Sequence, residues 1–252
     1  MTKDIHTRVR QFYEQNPQMV SSPFGGTTGI NESLFHDVLS RLRIDLRGKR
    51  VIDVGCGRAF VGDLVAAMGG HYTGVDLVVS RSGVRMAQAQ AQRLPFPNGA
   101  FDVVFCIDAF EHFPDPPAAM AEFRRVMAAD GVFFLSAPNY GNVAGLVKRV
   151  YESLGWYAKD TWAPFGRWQP QELEQPLTIG AVRRWARQAG FRDVMCAGHA
   201  LEVELGLFPW IAHPKMPESL LYRLQRVFRV VGPSIVRAWP GSSLHVFYRI
   251  GA

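Results

Sequence analysis

The stretch Val51–Gly62, VIDVGCGRAFVG, limits what this chain can fold into more than any other. A short apolar run reaches Asp53, breaks at Gly55 and Gly57, and passes into a segment of helical period. That order places a buried strand before a tight turn and a helix after it, with the first helical amides aimed into the space above the turn. Glycine at both positions lets a ligand come close to the backbone. The turn does not by itself name the ligand, because a dinucleotide site has much the same form. The third glycine of the dinucleotide pattern would fall at Phe60, too bulky for close strand–helix packing, which counts against a nicotinamide cofactor.

Strand and helix signals alternate around the turn. LFHDVLSRLRIDL has helical period, RVIDVG reads as a buried strand, FVGDLVAAMG as a helix closed by glycine, and HYTGVDL as a second strand. FDVVFCIDA is an almost continuous apolar strand, PAAMAEFRRVMAADG a helix closing on Gly131, and GVFFLSAP the next strand. TIGAVRRWARQAGF follows as a helix capped at Thr178, with RDVMCAGH and LHVFYRI as the closing strands. Strands apolar on both faces and alternating with helices belong to crossover units on a parallel sheet, hence to an α/β fold. We read residues 1–252 as one domain, with 1–33 as an N-terminal helix and lid-like segment. The intervals 139–177 and 200–243, rich in aromatics and prolines, read as covers over one end of the sheet, with a second small domain as the alternative.

Composition adds limits. A chain of 252 residues can bury a large core. Its polar start, MTKDIHTRVRQFYEQNPQ, reads as an amphipathic helix without the apolar core of a secretory signal, so a cytoplasmic setting is expected. The longest uncharged run, residues 131–147, is broken by APNYGN and makes a poor membrane span. Cys56, Cys106 and Cys196 lie far apart beside apolar runs, which favours buried free thiols over a disulfide or a zinc site, and no metal is expected. The net charge of +6 is concentrated after His213, where six basic residues face Glu218 alone. There ESLLYRLQRVFRVVG sets Leu220, Leu221, Leu224, Val227, Phe228 and Val231 on one helical stripe beside arginines. Such a helix packs on the body with a basic solvated face, attracts an anionic or lipid-like substrate, or touches a membrane surface.

The second strand narrows the ligand. Asp76, nineteen residues after Gly57, stands at a strand's carboxyl end, where an acid accepts the hydroxyls of a ribose. With this acid in place, VIDVGCGRAFVG, YTGVDL, QRLPFPNGAFDVVFCIDAFEHFPDP and EFRRVMAADGVFFLSAPN together resemble the class I S-adenosylmethionine-dependent methyltransferases. The nearest branch is the small-molecule one typified by ubiquinone and menaquinone methyltransferases. The resemblance covers about residues 34–140 and the closing strands. It implies a Rossmann-like seven-stranded, mostly parallel sheet with helices on both faces and the terminal strand antiparallel. It also implies S-adenosyl-L-methionine as cofactor, held by the backbone around Gly55, Cys56 and Gly57 with Asp53 beneath. Asp76 would take the ribose, Leu77 an adenine face, and Ile107 and Ala91 would border the cofactor. Gln90 stands where relatives carry an acid against the adenine amine, a departure, although its amide oxygen still accepts a hydrogen bond. Arg58 follows the turn where many relatives have a small residue, and either pairs with an acid or faces solvent.

The acceptor is expected beyond the strands' carboxyl ends. His112 and Asp108, after the apolar strand, are the candidate bases. His112 either takes a proton from the acceptor or shapes its loop by bonding to Asp115 or to backbone. Glu111 reads as a prop for that loop. Phe24, Tyr140 and Trp168 are the candidate substrate contacts, within a set of aromatics that either forms a flat-substrate pocket or packs the covers together. The expected activity is O-, C- or N-methylation of a small organic acceptor, aromatic or lipid-linked. Rival readings are a cofactor-binding protein without methyl transfer, cyclase-like or regulatory, and a nucleic-acid or protein methyltransferase. For base methylation DAFEH replaces the expected Asn/Asp-Pro-Pro-aromatic tetrad.

Overall fold

A computed structural model describes residues 4–16, 32–78, 83–155, 172–209 and 216–251. Phe24, Asn31, Trp156, Tyr157, Trp162, Phe165 and Trp168 lie outside the described residues, as does most of LFPWIAHP. Seven strands form one sheet: β1 (Arg50–Val54), β2 (His71–Asp76), β3 (Met86–Gln88), β4 (Phe101–Ile107), β5 (Met127–Pro138), β6 (Asp193–Gly198) and β7 (His245–Gly251). Their order is β3-β2-β1-β4-β5-β7-β6, with every pair parallel except those made by β7. The seven-stranded, mostly parallel sheet is the expected one.

Both faces of the central strands are covered, which is why their sequences are apolar throughout. On one face Ile52, Val54, Val104, Cys106, Phe133 and Leu135 meet α4 (Pro116–Val126) and α6 (Ile179–Gln188) through Met120, Phe123, Val182 and Ala186. On the other, Val51, Val103, Phe105, Ile107 and Phe134 meet α2 (Glu32–Arg41) and α3 (Phe60–Ala67) through Phe35, Val38, Leu39, Val61 and Val65. Each fully buried side chain of this size contributes about 1.5–3 kcal/mol. Thr178 caps α6 as expected, accepting the Ala181 N–H at 3.2 Å. The polar start forms helix α1 (Ile5–Gln15). Within the two long intervals stand α5 (Val143–Ser153), α7 (Val203–Leu207) and α8 (Glu218–Ala238).

Three expectations change. The helix α4 ends at Val126, and residues 127–131 already belong to β5, pairing Met127 with Phe101. Val132 then pairs with Val103 after a shift of register, so residues 127–131 are drawn into an irregular stretch of the sheet. The apolar stripe of α8 is divided: Phe228 is buried and Leu221 and Leu224 are half-buried, whereas Leu220, Val227 and Val231 are exposed. Cys56 and Cys106 are buried free thiols, but Cys196 is only half-buried, near the open edge of the sheet.

Candidate cofactor and acceptor site

After β1 the chain turns at once. Gly55 (φ 79°), Gly57 (φ 54°) and Ala59 (φ 54°) are all left-handed. A Cβ on Gly55 would stand 2.5 Å from Ala109 Cβ, so this turn meets the loop after β4 at a distance only glycine permits. Ala59 costs about 1–2 kcal/mol in that conformation, offset by complete burial and by its N–H bond to the Cys56 carbonyl at 2.8 Å. The turn hangs from β2, since the N–H groups of Gly55 and Cys56 both donate to the Val75 carbonyl, at 2.8 and 3.1 Å.

Asp76 closes the arrangement. Its Oδ2 accepts the Gly57 N–H at 2.8 Å and its Oδ1 the Val78 N–H at 3.3 Å. Each oxygen retains lone-pair capacity, which two adjacent ribose hydroxyls require. Burial raises its pKa, while backbone N–H groups oppose the rise. Beneath the turn, Asp53 is buried and accepts the Tyr72 hydroxyl at 2.8 Å. Burial lifts Asp53 to about 7 against that bond, with Asp76 adding to the rise.

Leu77 is half-buried, with its carbonyl held by Gln88 Nε2 at 2.7 Å. Ile107 is buried at the end of β4, and Ala91 is buried in the core. Gln90 is exposed, and its carbonyl accepts the Arg93 N–H at 3.0 Å. In the same segment Gln92 carries a buried Nε2 with no hydrogen-bond partner among the described residues. Arg58 is exposed.

The loop after β4 is acidic and constrained. Asp108 is left-handed (φ 48°), a conformation held only where the surroundings over-determine it. Its N–H donates to the Ser136 carbonyl at 3.0 Å, and its Oδ1 accepts the Ser136 hydroxyl at 2.6 Å. Glu111 is buried, with Oε2 lacking a partner among the described residues. Burial, reinforced by Asp108 and Glu174, raises its pKa well above the ordinary carboxyl value. His112 Nδ1 lies 2.7 Å from the Leu173 carbonyl and therefore carries the proton, leaving Nε2, 3.7 Å from Glu111 Oε1, as the basic nitrogen. Burial lowers its pKa against the pull of Leu173, Glu174 and Asp108. The ring thus ties the loop to residues 172–178 through backbone. Asp115 instead caps α4 by accepting the Ala118 N–H at 3.0 Å.

Tyr140 does not present itself as a pocket wall. It is 2% exposed, its hydroxyl donates to Glu174, and Lys148 Nζ donates to that hydroxyl at 2.7 Å while standing 3.4 Å from Glu174 Oε1. Burying the lysine requires both partners, and the tyrosine is one of them.

Several residues here carry no sequence signal. Helix α1 brings Tyr13 among Asp76, Glu111 and Glu174, and burial followed by those three carboxylates raises its hydroxyl pKa. Arg8 of the same helix pairs with Glu172. Along the same edge Glu202 receives both the backbone N–H and the ring Nδ1 of His245, at 2.9 and 3.0 Å, with His199 Nδ1 3.4 Å from its other oxygen. Spacing gave no hint of these, because Arg8 and Glu172 stand 164 residues apart and Glu202 and His245 forty-three.

The donor set fits an adenosyl sulfonium: a glycine turn for close approach, a carboxylate with two open positions, and acids that favour a cation. A methyltransferase-domain family matches residues 29–195. The chain belongs to the class I S-adenosylmethionine-dependent methyltransferases. Its cofactor is S-adenosylmethionine. This methyltransferase is 32% identical over 164 residues to a ubiquinone biosynthesis O-methyltransferase of Pseudomonas aeruginosa, a match covering 59% of this chain and 66% of that protein. The chain thus spans slightly under two thirds of the curated relatives it matches first. A S-adenosylmethionine-dependent methyltransferase of Archaeoglobus fulgidus shares the fold, with a TM-score of 0.57, 15% identity, and coverage of 96% of this chain and 99% of that one. A 4+2 cyclase, SpnF, shares it too, with a TM-score of 0.58, 17% identity, and coverage of 96% and 94%.

Proposed function

We propose that this methyltransferase moves the methyl group of S-adenosylmethionine to a small organic acceptor, aromatic or lipid-linked, with oxygen favoured over carbon or nitrogen as the accepting atom. The observation that carries the reading is the Asp76 clamp on the glycine turn, packed directly against the acidic loop after β4. The bound sulfonium supplies an already activated methyl group, so the protein's work is alignment and the exclusion of water. Gly55, Cys56 and Gly57 receive the methionine portion, with Asp53 supporting the turn, and Asp76 takes the ribose. Leu77, Ile107 and Ala91 border the adenine, with Gln90 or the unpartnered Gln92 amide meeting its polar edge. Asp108 and His112 Nε2 are the protein groups available to an acceptor proton. Residues 1–33, 139–177 and 200–243 act as covers on a single domain, and Phe24 and Trp168 belong to those covers. The curated relatives' O-methyltransferase names support oxygen as the accepting atom.

The setting is cytoplasmic, with peripheral contact at a lipid surface through α8. No helix among the described residues is long and apolar enough to cross a membrane. Yet α8 exposes Leu220, Tyr222, Val227, Val230 and Val231 beside Arg223, Arg226 and Arg229, a combination suited to an anionic interface. The test uses purified protein, labelled S-adenosylmethionine, and pooled metabolite, lipid and RNA fractions. Label is expected in organic-extractable products. Label confined to nucleic acid overturns the acceptor class, and cofactor binding without any transfer favours the cyclase-like reading.

A further inference from the structure

We infer that His245, fixed by Glu202, is the hydrogen-bond donor for the acceptor's reacting oxygen, and that the acceptor carries an acidic hydroxyl of the phenol type, bound as its oxyanion. This rests on the methyltransferase reading of the crevice. Strand β7 runs against its neighbours, and His245 pairs with Pro138 at the end of β5. Its first residue therefore lies on the edge where β4 and β5 deliver Asp108 and the acidic loop. Asp108 and Glu111 are close enough for their charges to act on the ring.

Glu202, 2% exposed, holds this histidine twice, through the backbone N–H and through Nδ1. Nδ1 is committed to that bond. The Nε2 has no hydrogen-bond partner among the described residues, and the side chain keeps 11% of its surface open. A buried ion pair normally has its remaining donors satisfied. Here one is left open, on a ring at the carboxyl edge of the sheet.

The ring is the cation among acidic neighbours. Facing it are Glu202 and His199 from residues 199–202, and Asp108 and Glu111 from the loop after β4. Burial alone lowers the ring's pKa, but Glu202 and Asp108 raise it to about 10, so it is an imidazolium at neutral pH. Asp108 also accepts the Ser136 hydroxyl at 2.6 Å. An imidazolium is no proton acceptor; it stabilises an oxygen that has already lost its proton, and in a water-poor site it does so strongly. On binding, the hydroxyl proton leaves to water and the ring keeps its own.

The probe is 4-nitrophenol, whose ionised form absorbs visible light. It is titrated against the wild-type protein, H245Q, and E202Q/H245Q, each with S-adenosylhomocysteine bound. The wild type is expected to lower the bound probe's apparent pKa by about one unit or more, a tenfold shift in ionisation. Both variants are expected to lose the shift while calorimetry shows unchanged S-adenosylhomocysteine affinity. The double variant leaves no buried charge unpaired and carries the test if H245Q alone melts. No shift with the wild type, or an equal shift in the variants, overturns the inference. A wild-type shift lost in both variants, without methyl transfer to any fraction, would sink the methyltransferase reading and leave His245 only as an oxyanion donor to a guest that is not methylated.

Discussion

At the scale of single residues, the cofactor side depends on Asp76 and the loop side on His112. Replacing Asp76 with alanine removes the acceptor of the Gly57 N–H and of the ribose hydroxyls together. D76A is expected to weaken S-adenosylhomocysteine binding by about 1–3 kcal/mol, read by calorimetry; unchanged affinity would refute the assignment. His112 differs, because its Nδ1 already serves the Leu173 carbonyl inside the protein. H112A leaves that carbonyl unpaired, so lower thermal stability is expected together with the loss of rate, by about 1–3 kcal/mol. If the variant instead melts and binds cofactor normally while single turnover slows by about 10² to 10⁴, Nε2 acts as a base. Asp76 was legible in the sequence because strand end, turn and acid lie within one crossover unit. The bond of His112 to residue 173 was not, since spacing says nothing about which distant backbone will close over a loop.

At the scale of elements, α8 shows how far periodicity reaches. A stripe of apolar residues announces an amphipathic helix, and the helix is there. Periodicity does not say how wide the buried face is; only the contacts with residues 200–207 turn Phe228 inward and leave Val227 and Val230 outward. Because these valines are 56% and 78% exposed, V227D/V230D is expected to leave melting unchanged. The same variant is expected to reduce sedimentation with vesicles containing anionic phospholipid. Equal sedimentation of variant and wild type would remove α8 from any lipid contact. The early end of α4 has a similar origin: residues 127–131 have helical composition, but the pairing of Met127 with Phe101 takes them into the sheet.

At the scale of the whole molecule, the Glu202–His245 pair links the last strand to the segment after β6 and makes stability depend on pH in a defined direction. Burial raises Glu202, but His245 and His199 bring it down from 4.5 to about 2, so its contribution is present above 4.5 and lost as pH falls toward 2. His245 is raised from 6.5 to about 10, so its contribution is complete below 6.5 and lost as pH rises through about 10. The difference in melting temperature between wild type and E202Q/H245Q is therefore expected to be greatest between pH 4.5 and 6.5 and to shrink toward pH 10. A difference that grows with pH would reverse the sign and exclude the pairing. Ligand adds a second whole-molecule effect: S-adenosylhomocysteine at a hundredfold excess over its Kd is expected to stabilise the fold by about 2.7 kcal/mol, and NAD by none, as read by thermal melting.

The sequence by itself determined the alternation of strands and helices, the glycine turn, and the ribose acid. Each is written in contacts between near neighbours or in burial on both faces of a strand. Tertiary structure alone decided which remote groups meet at the carboxyl edge. Tyr13 enters from α1, Lys148 and Glu174 enclose Tyr140, and Glu202 meets His245 across forty-three residues. Those encounters follow from the antiparallel entry of β7 and from the burial of charge, which forces each buried ion to find an opposite partner wherever the fold supplies one.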